Sequence, residues 1–360
     1  MVNGARNVTL ATLAGSLLFL GALKASTGPP PTGLVVVIED KPQRERLDLR
    51  ALENPNINGV ALQIRWRDIE PVPGQPNWSK LDQLFAAAQS SKKWVQLLTF
   101  AGFFSPPWAL EGAKTAEFPI QYGPGGGSVE KLPMPWDMVY LNRWFAFVKR
   151  LSERYGNNPA FRVVAAAGPT SVSAEFTLPS NAEDLRIWLH HGYTPRRYIE
   201  AWQKTFQVYA AKFPNQYVSL SLGFGLNIND QRKLDPRERK RTQEAVIGEG
   251  IGMLGRRFAL QMSNLDGNPR PGKGSPAVDL VIGYNGRIVT GLQLRTSCER
   301  NSGNMGAEGD PPQALRRSID KGMRPNNAGR HVDYIEIYEP DVLADDMQAA
   351  LRYGASRFGR

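Results

Sequence analysis

Eight short runs of aliphatic and β-branched residues alternate with longer amphipathic stretches between Leu34 and Phe358. Parallel strands linked by crossover helices produce this alternation. No GxGxxG motif follows the first run, which argues against a doubly wound dinucleotide fold. The expected class is therefore α/β: a (β/α)8 TIM barrel, a single domain with extended loops at its C-terminal face, for which 360 residues suffice.

The expected strands are residues 34–39, 58–65, 94–100, 161–167, 217–223, 258–264, 288–295 and 332–338. Caps and stripes mark the helices between them. Asn77 can cap a helix with Leu81, Leu84, Phe85 and Ala88 on one face, and Leu141, Trp144, Phe145, Val148 and Leu151 form a later stripe that Tyr155-Gly156 ends. Thr194-Pro195 reads as a cap with proline at the first helical position, followed by a buried stripe of Ile199, Trp202, Phe206 and Tyr209. A final helix is expected over Asp341 to Phe358, with Asp341 as its cap. The GPGGG run, Gly123 to Gly127, lies far from any strand end and reads as a lid or linker.

Composition narrows the function. Hydrophobic residues make up 41% and charged residues 22%, which fits a soluble globular chain and neither a disordered nor a polytopic membrane one. The single cysteine, Cys298, excludes an intramolecular disulfide framework and a thiolate-rich metal site; His190, His191 and His331 leave little material for zinc or a serine triad. No metal or organic cofactor is implied. The net charge of +10 raises nucleic acid as a partner. However, the densest basic stretch, Arg232 to Arg241, includes Asp235 and Glu238 and no aromatic ring for stacking, and Arg316, Arg317, Lys321, Arg324 and Arg330 are dispersed. A solvated surface is expected, and no nucleic-acid partner.

Residues 1–32 are set apart from the barrel domain, 33–360. Val8 to Leu23 carries no charge, follows Arg6, and precedes Lys24-Ala25-Ser26 and Pro29 to Pro31. Such a run is short for a membrane span and normal for a signal-peptide core. The expectation is a secreted or periplasmic protein; the alternative is an uncleaved anchor, the one expected membrane contact, holding the domain on the outer side.

Alternation phases each strand by its aliphatic outer face. Outward Leu34, Val36 and Ile38 send Glu39 inward; outward Val60, Leu62 and Ile64 send Gln63 and Arg65 inward. By the same logic Gln261 and Ser263, Gln293 and Arg295, and Tyr334, Glu336 and Tyr338 face the lumen. A lumen lined this way is polar where a structural core would be apolar. Buried carboxylates beside arginines form either an ion-pair network or a catalytic centre, and the position of these residues near strand C-terminal ends favours the second. Trp66, Phe100, Phe103, Phe104, Trp108 and Trp136 fall after the second and third strands. They read either as flat platforms for sugar rings or as a loop mini-core.

Three segments carry a resemblance: GVALQIRWRDIEPVPGQPNWSKLD over Gly59 to Asp82, LLTFAGFFSPPW over Leu97 to Trp108, and the run from FVKRLSERYG through GPTSVSAE, ending at Glu175. Together they resemble the retaining glycoside hydrolase superclan of (β/α)8 barrels, especially its beta-galactosidase-like and cellulase-like members. The resemblance implies cleavage of a glycosidic bond in an oligo- or polysaccharide, with Glu175 as acid/base and Glu336 as nucleophile. Glu39, Gln63, Arg65, Trp66, Phe104, Trp108, Gln261, Gln293, Arg295 and Tyr338 would bind the substrate. Arg65 is the cation expected to keep Glu336 ionised. Glu70, in the IEP element, is expected to hold its loop by hydrogen bonds.

Two departures stand out. The family's Asn-Glu pair after the fourth strand is absent, and the seventh strand offers Gln293 where the nucleophile belongs. Either the strand count is off by one, the catalytic pair is displaced, or the barrel binds glycans without cleaving them.

Overall fold

The computed structural model describes residues 28–119, 127–268 and 275–359. The apolar run Val8 to Leu23 lies outside them, as does the GPGGG run apart from Gly127. Among the described residues there are ten strands: β1 (Gly33–Glu39), β2 (Gly59–Arg65), β3 (Trp94–Phe100), β4 (Thr115–Pro119), β5 (Val129–Pro133), β6 (Phe161–Ala165), β7 (Tyr217–Ser221), β8 (Phe258–Leu265), β9 (Val289–Leu294) and β10 (Tyr334–Tyr338). Eight of them close in the order β1-β10-β9-β8-β7-β6-β3-β2, and β4 and β5 form a separate antiparallel hairpin within the loop after β3. Every pairing in the barrel is parallel.

The count is therefore eight, at the expected places. The absence of a carboxylate on the seventh barrel strand, β9, is therefore no artefact of counting.

The alternation argument holds on β1, β9 and β10. Leu34 packs against Gly354 of the helix Gln348–Arg357, and Ile335 against Gly322 of the helix Pro311–Gly322, so both face outward. The glycines let strand and helix approach closely there. Inside, Gly291 of β9 stands where a Cβ would fall 2.1 Å from the Tyr334 ring, so only glycine leaves room for that phenol in the lumen.

The helices form as their stripes predict. Leu81, Leu84, Phe85 and Ala88 are buried on Ser79–Ser90, though Asn77 reaches Ser79 N at 3.0 Å from just outside the cap position. Thr194 caps Pro195–Lys212 by accepting from Arg197 N at 3.2 Å. The expected last helix is interrupted: Glu339–Leu343 and Gln348–Arg357 are joined by a 3-10 turn. Asp341 is not a cap. It is buried within the first piece, where it accepts from Ser297 Oγ at 2.8 Å and Glu299 N at 2.7 Å and so ties down the loop after β9.

Candidate active site

At the C-terminal mouth the strand ends and loops enclose a cavity of about 310 Å3. That is at the small end of ligand sites, which span roughly 300–1,000 Å3. Glu39, Gln63, Glu175, Gln293, Arg295 and Tyr338 line it, joined by Leu98, Phe100, Ser221, Ser263 and the 172–174 stretch. One larger depression, bounded by Pro29 to Thr32, Trp94 and Arg162, lies at the other end of the barrel from these groups, and another, bounded by Arg44, Arg67 and Lys80, lies among the loops after β1 and β2 and includes none of them.

Each lining group is held by its strand. Glu39 and Gln63 are register partners at the ends of β1 and β2. Gln63 Nε2 donates to Gln293 Oε1 at 3.5 Å, and Gln293 Nε2 donates to the Tyr338 hydroxyl at 2.8 Å, a belt that fixes three rotamers across the mouth. Arg295 pairs with the buried carboxylate of Asp266, which also receives Lys321 Nζ at 2.9 Å. Asp266 escaped the sequence reading because a lone aspartate after a strand carries no periodic signal.

Glu175 sits on a segment that extends the sheet beside β7: it bridges to Ser221 in parallel, and Phe176 N donates to Ser221 O at 2.8 Å. This pairing brings a loop residue into the mouth. Burial raises the Glu175 carboxyl above the ordinary glutamate range, and a hydrogen bond from Ser263 offsets part of the rise.

Glu336 lies deeper. It is fully buried and does not line the cavity. Gln261 Nε2 donates to its Oε2 at 2.7 Å, while Gln261 Oε1 accepts from Gln96 Nε2 at 2.6 Å and the Tyr334 hydroxyl at 3.1 Å. Glu336 Oε1 has no partner among the protein atoms. Burial pushes this carboxyl up to about 8, with only the Gln261 bond acting the other way. The expected cations are elsewhere: Arg65 pairs with Asp68 at 2.5 Å and lies over the Phe104 ring, and Arg295 pairs with Asp266. Both arginines have carboxylates closer to the rim, so Glu336 is left without a counter-charge. Burial raises the Tyr338 phenol as well, and the charges of Glu39, Glu336 and Glu175 add to the rise.

The aromatic expectation needs correction. Trp66, Phe104 and Trp108 are not on the cavity wall. After Arg65 the chain enters a helical turn, Trp66–Ile69, that swings the indole outward. There it is fully buried against Trp108, Trp144 and Phe147 at centroid distances of 5.4, 5.1 and 5.6 Å. Glu70 organises this cluster: its carboxylate accepts from Trp66 Nε1 at 3.0 Å, Gly74 N at 2.9 Å and Arg150, and its carbonyl accepts from Trp108 Nε1 at 3.1 Å. The role expected of Glu70 is the one it has. Of the six rings expected after the second and third strands, Phe100, at the end of β3, lines the cavity.

A beta-galactosidase family model, that of glycoside hydrolase family 42, matches residues 40–213, a span that includes Glu70 and Glu175. The chain resembles the (β/α)8 glycoside hydrolases. A beta-galactosidase from the psychrophilic Marinomonas ef1 overlays on 90% of this chain with a TM-score of 0.52 at 13% identity, and 59% of that protein is covered. An exo-beta-1,4-mannosidase from Opitutaceae bacterium strain TAV5 overlays on 91% with a TM-score of 0.50 at 14% identity, with 60% of it covered. This chain thus spans about three fifths of either structure, and the likeness is one of fold. No curated protein matches the sequence.

Proposed function

We propose that this protein is an exported glycoside hydrolase that cleaves a glycosidic bond of an oligo- or polysaccharide in the cavity at the barrel mouth. The observation that carries the reading is the shared cavity of Glu175 and Glu39, one carboxyl desolvated and the other at the exposed end of β1. Glu175, its proton held by burial, is the general acid that protonates the leaving oxygen. Glu39 is the second carboxylate, acting on the anomeric carbon directly or through water according to its separation from Glu175. Glu336, given the nucleophile role by the resemblance, acts instead from below the floor by holding Gln261 and, with it, the lumen network. Phe100 offers an apolar face to a sugar ring, and Gln63, Gln293, Arg295 and Tyr338 offer hydrogen bonds to hydroxyls.

The test is turnover of aryl glycosides graded by leaving group. Glu175→Gln should slow poor leaving groups by about 100-fold or more and activated ones far less, since only the former need a strong acid. Glu39→Gln should abolish both. A specific observation favours a second reading, a glycan-binding barrel without catalysis: Gln293 stands on the seventh barrel strand where the resemblance puts a nucleophile. Retained oligosaccharide binding with no turnover of any glycoside by the native chain would establish that reading and overturn the first.

A further inference from the structure

Because every barrel strand is parallel, the loops leading into the strands share one end of the molecule, opposite the candidate site. They comprise residues 28–32, 54–58, 91–93, 156–160, 213–216, 255–257, 284–288 and 323–333. Their ionisable groups are Lys92, Lys93, Arg256, Arg257, Arg287, Arg324, Arg330 and His331, against one carboxylate, Asp333, which is occupied by Thr290 N at 2.7 Å. Lys212 and Arg162 stand beside them at the adjoining ends of a helix and of β6, and so does the exposed Glu53 at the end of the 3-10 turn Arg50–Glu53, which leaves the face with a clear excess of cations. The loops at the other end mix signs, as in Asp40, Glu45 and Asp48 with Lys41, Arg44 and Arg46 after β1. Charges dispersed along the chain thus converge in space.

Some of these cations are engaged within the protein: Arg257 donates to Phe213 O at 2.6 Å, and Arg324 pairs with Asp279 at 2.6 Å. Lys92, Lys212, Arg256, Arg287 and Arg330 are exposed to solvent. Cations near helix C-terminal ends also complement helix dipoles, but that effect fades within a turn and does not call for Arg287 and Arg330 at loop tips. The same face receives the N-terminal segment. Gly28 lies against the Arg162 guanidinium, and Trp94 Nε1 donates to Thr32 O at 3.1 Å. The uncharged run Val8 to Leu23 therefore precedes a stretch that meets the barrel on its basic end.

We propose that this face docks on an anionic lipid bilayer, with headgroup phosphates against the exposed lysines and arginines and the candidate active site pointing away. The inference is independent of the chemistry proposed for that site. Among the described residues no helix is long and apolar enough to cross a membrane, so the contact made by the barrel is peripheral and electrostatic. Nucleic acid, the other polyanion, is less well matched: Trp94 packs on Tyr334 and Tyr284 is covered by Arg287, so the rings near these loops are already engaged.

The experiment is co-sedimentation of the full chain with vesicles of phosphatidylcholine alone or with about a third phosphatidylglycerol. An apolar segment partitions into both, so the ratio isolates the charged face. A preference of about tenfold or more for anionic vesicles is expected, collapsing near 0.5 M salt as screening tightens. Combining Lys92→Gln, Lys212→Gln, Arg256→Gln and Arg287→Gln should remove that preference without changing the melting temperature. An equal charge loss at the other end, Arg44→Gln, Arg46→Gln, Lys233→Gln and Arg300→Gln, should keep it. Equal partition by the native chain, a preference that survives the first variant, or salt-sensitive capture of duplex DNA without vesicle preference would each overturn the proposal.

Discussion

Glu336 and Glu175 are both short of water, yet only Glu175 lines the cavity. For Glu336 the consequence is a stability that depends on pH. Its carboxyl titrates at about 8 in the folded chain against 4.5 ordinarily. Between those values the unfolded chain gives up the proton more readily, so folding loses stability as pH rises from about 4.5 to 8. Glu336→Gln keeps the volume and an oxygen for Gln261 to donate to while removing the ionisation. Its melting temperature should therefore gain on the native chain steadily across that window; a constant difference would mean that Glu336 is ionised in the fold. For Glu175 the raised value makes the protonated form persist to higher pH, so turnover should fall on the alkaline side, and that limb should vanish in Glu175→Gln.

Among the elements, the loop after β2 shows how a motif can be read correctly and assigned to the wrong place. The IEP segment was legible as a unit, and Glu70 holds its loop by hydrogen bonds as expected, binding Trp66 and Trp108 as well. Which way Trp66 and Trp108 point was not legible, because a helical turn of four residues after a strand has no periodicity to phase. Trp108→Ala should lower stability by about 3 kcal/mol or more, through lost burial against Trp66, and leave oligosaccharide affinity unchanged. Paired thermal melts and binding isotherms separate the outcomes. In the helix Pro195–Lys212 cap and stripe were both visible, and Thr194→Ala should cost about 1 kcal/mol, seen as a shift in denaturant midpoint with the slope unchanged.

The whole molecule is polarised, with a mixed-charge mouth holding the carboxylates and a basic end where the N-terminal segment joins. Fusing residues 1–32 to a reporter should carry it across a membrane, since an uncharged run after Arg6 has the form of a signal core. A reporter retained in the cytosol would refute export. Barrel class, strand number, the inward set and the helix stripes were all determined by the sequence itself, because periods of 2 and 3.6 are properties of the local backbone that side-chain polarity records directly. Tertiary structure alone decided the rest. The depth of a lumen residue depends on the stagger of neighbouring strands, which sealed Glu336 under Gln261 while leaving Glu39 open. The partner of an arginine depends on which carboxylate another loop delivers, which took Arg65 to Asp68 and Arg295 to Asp266. And a basic face exists only once eight parallel strands bring four distant cationic loops to one end.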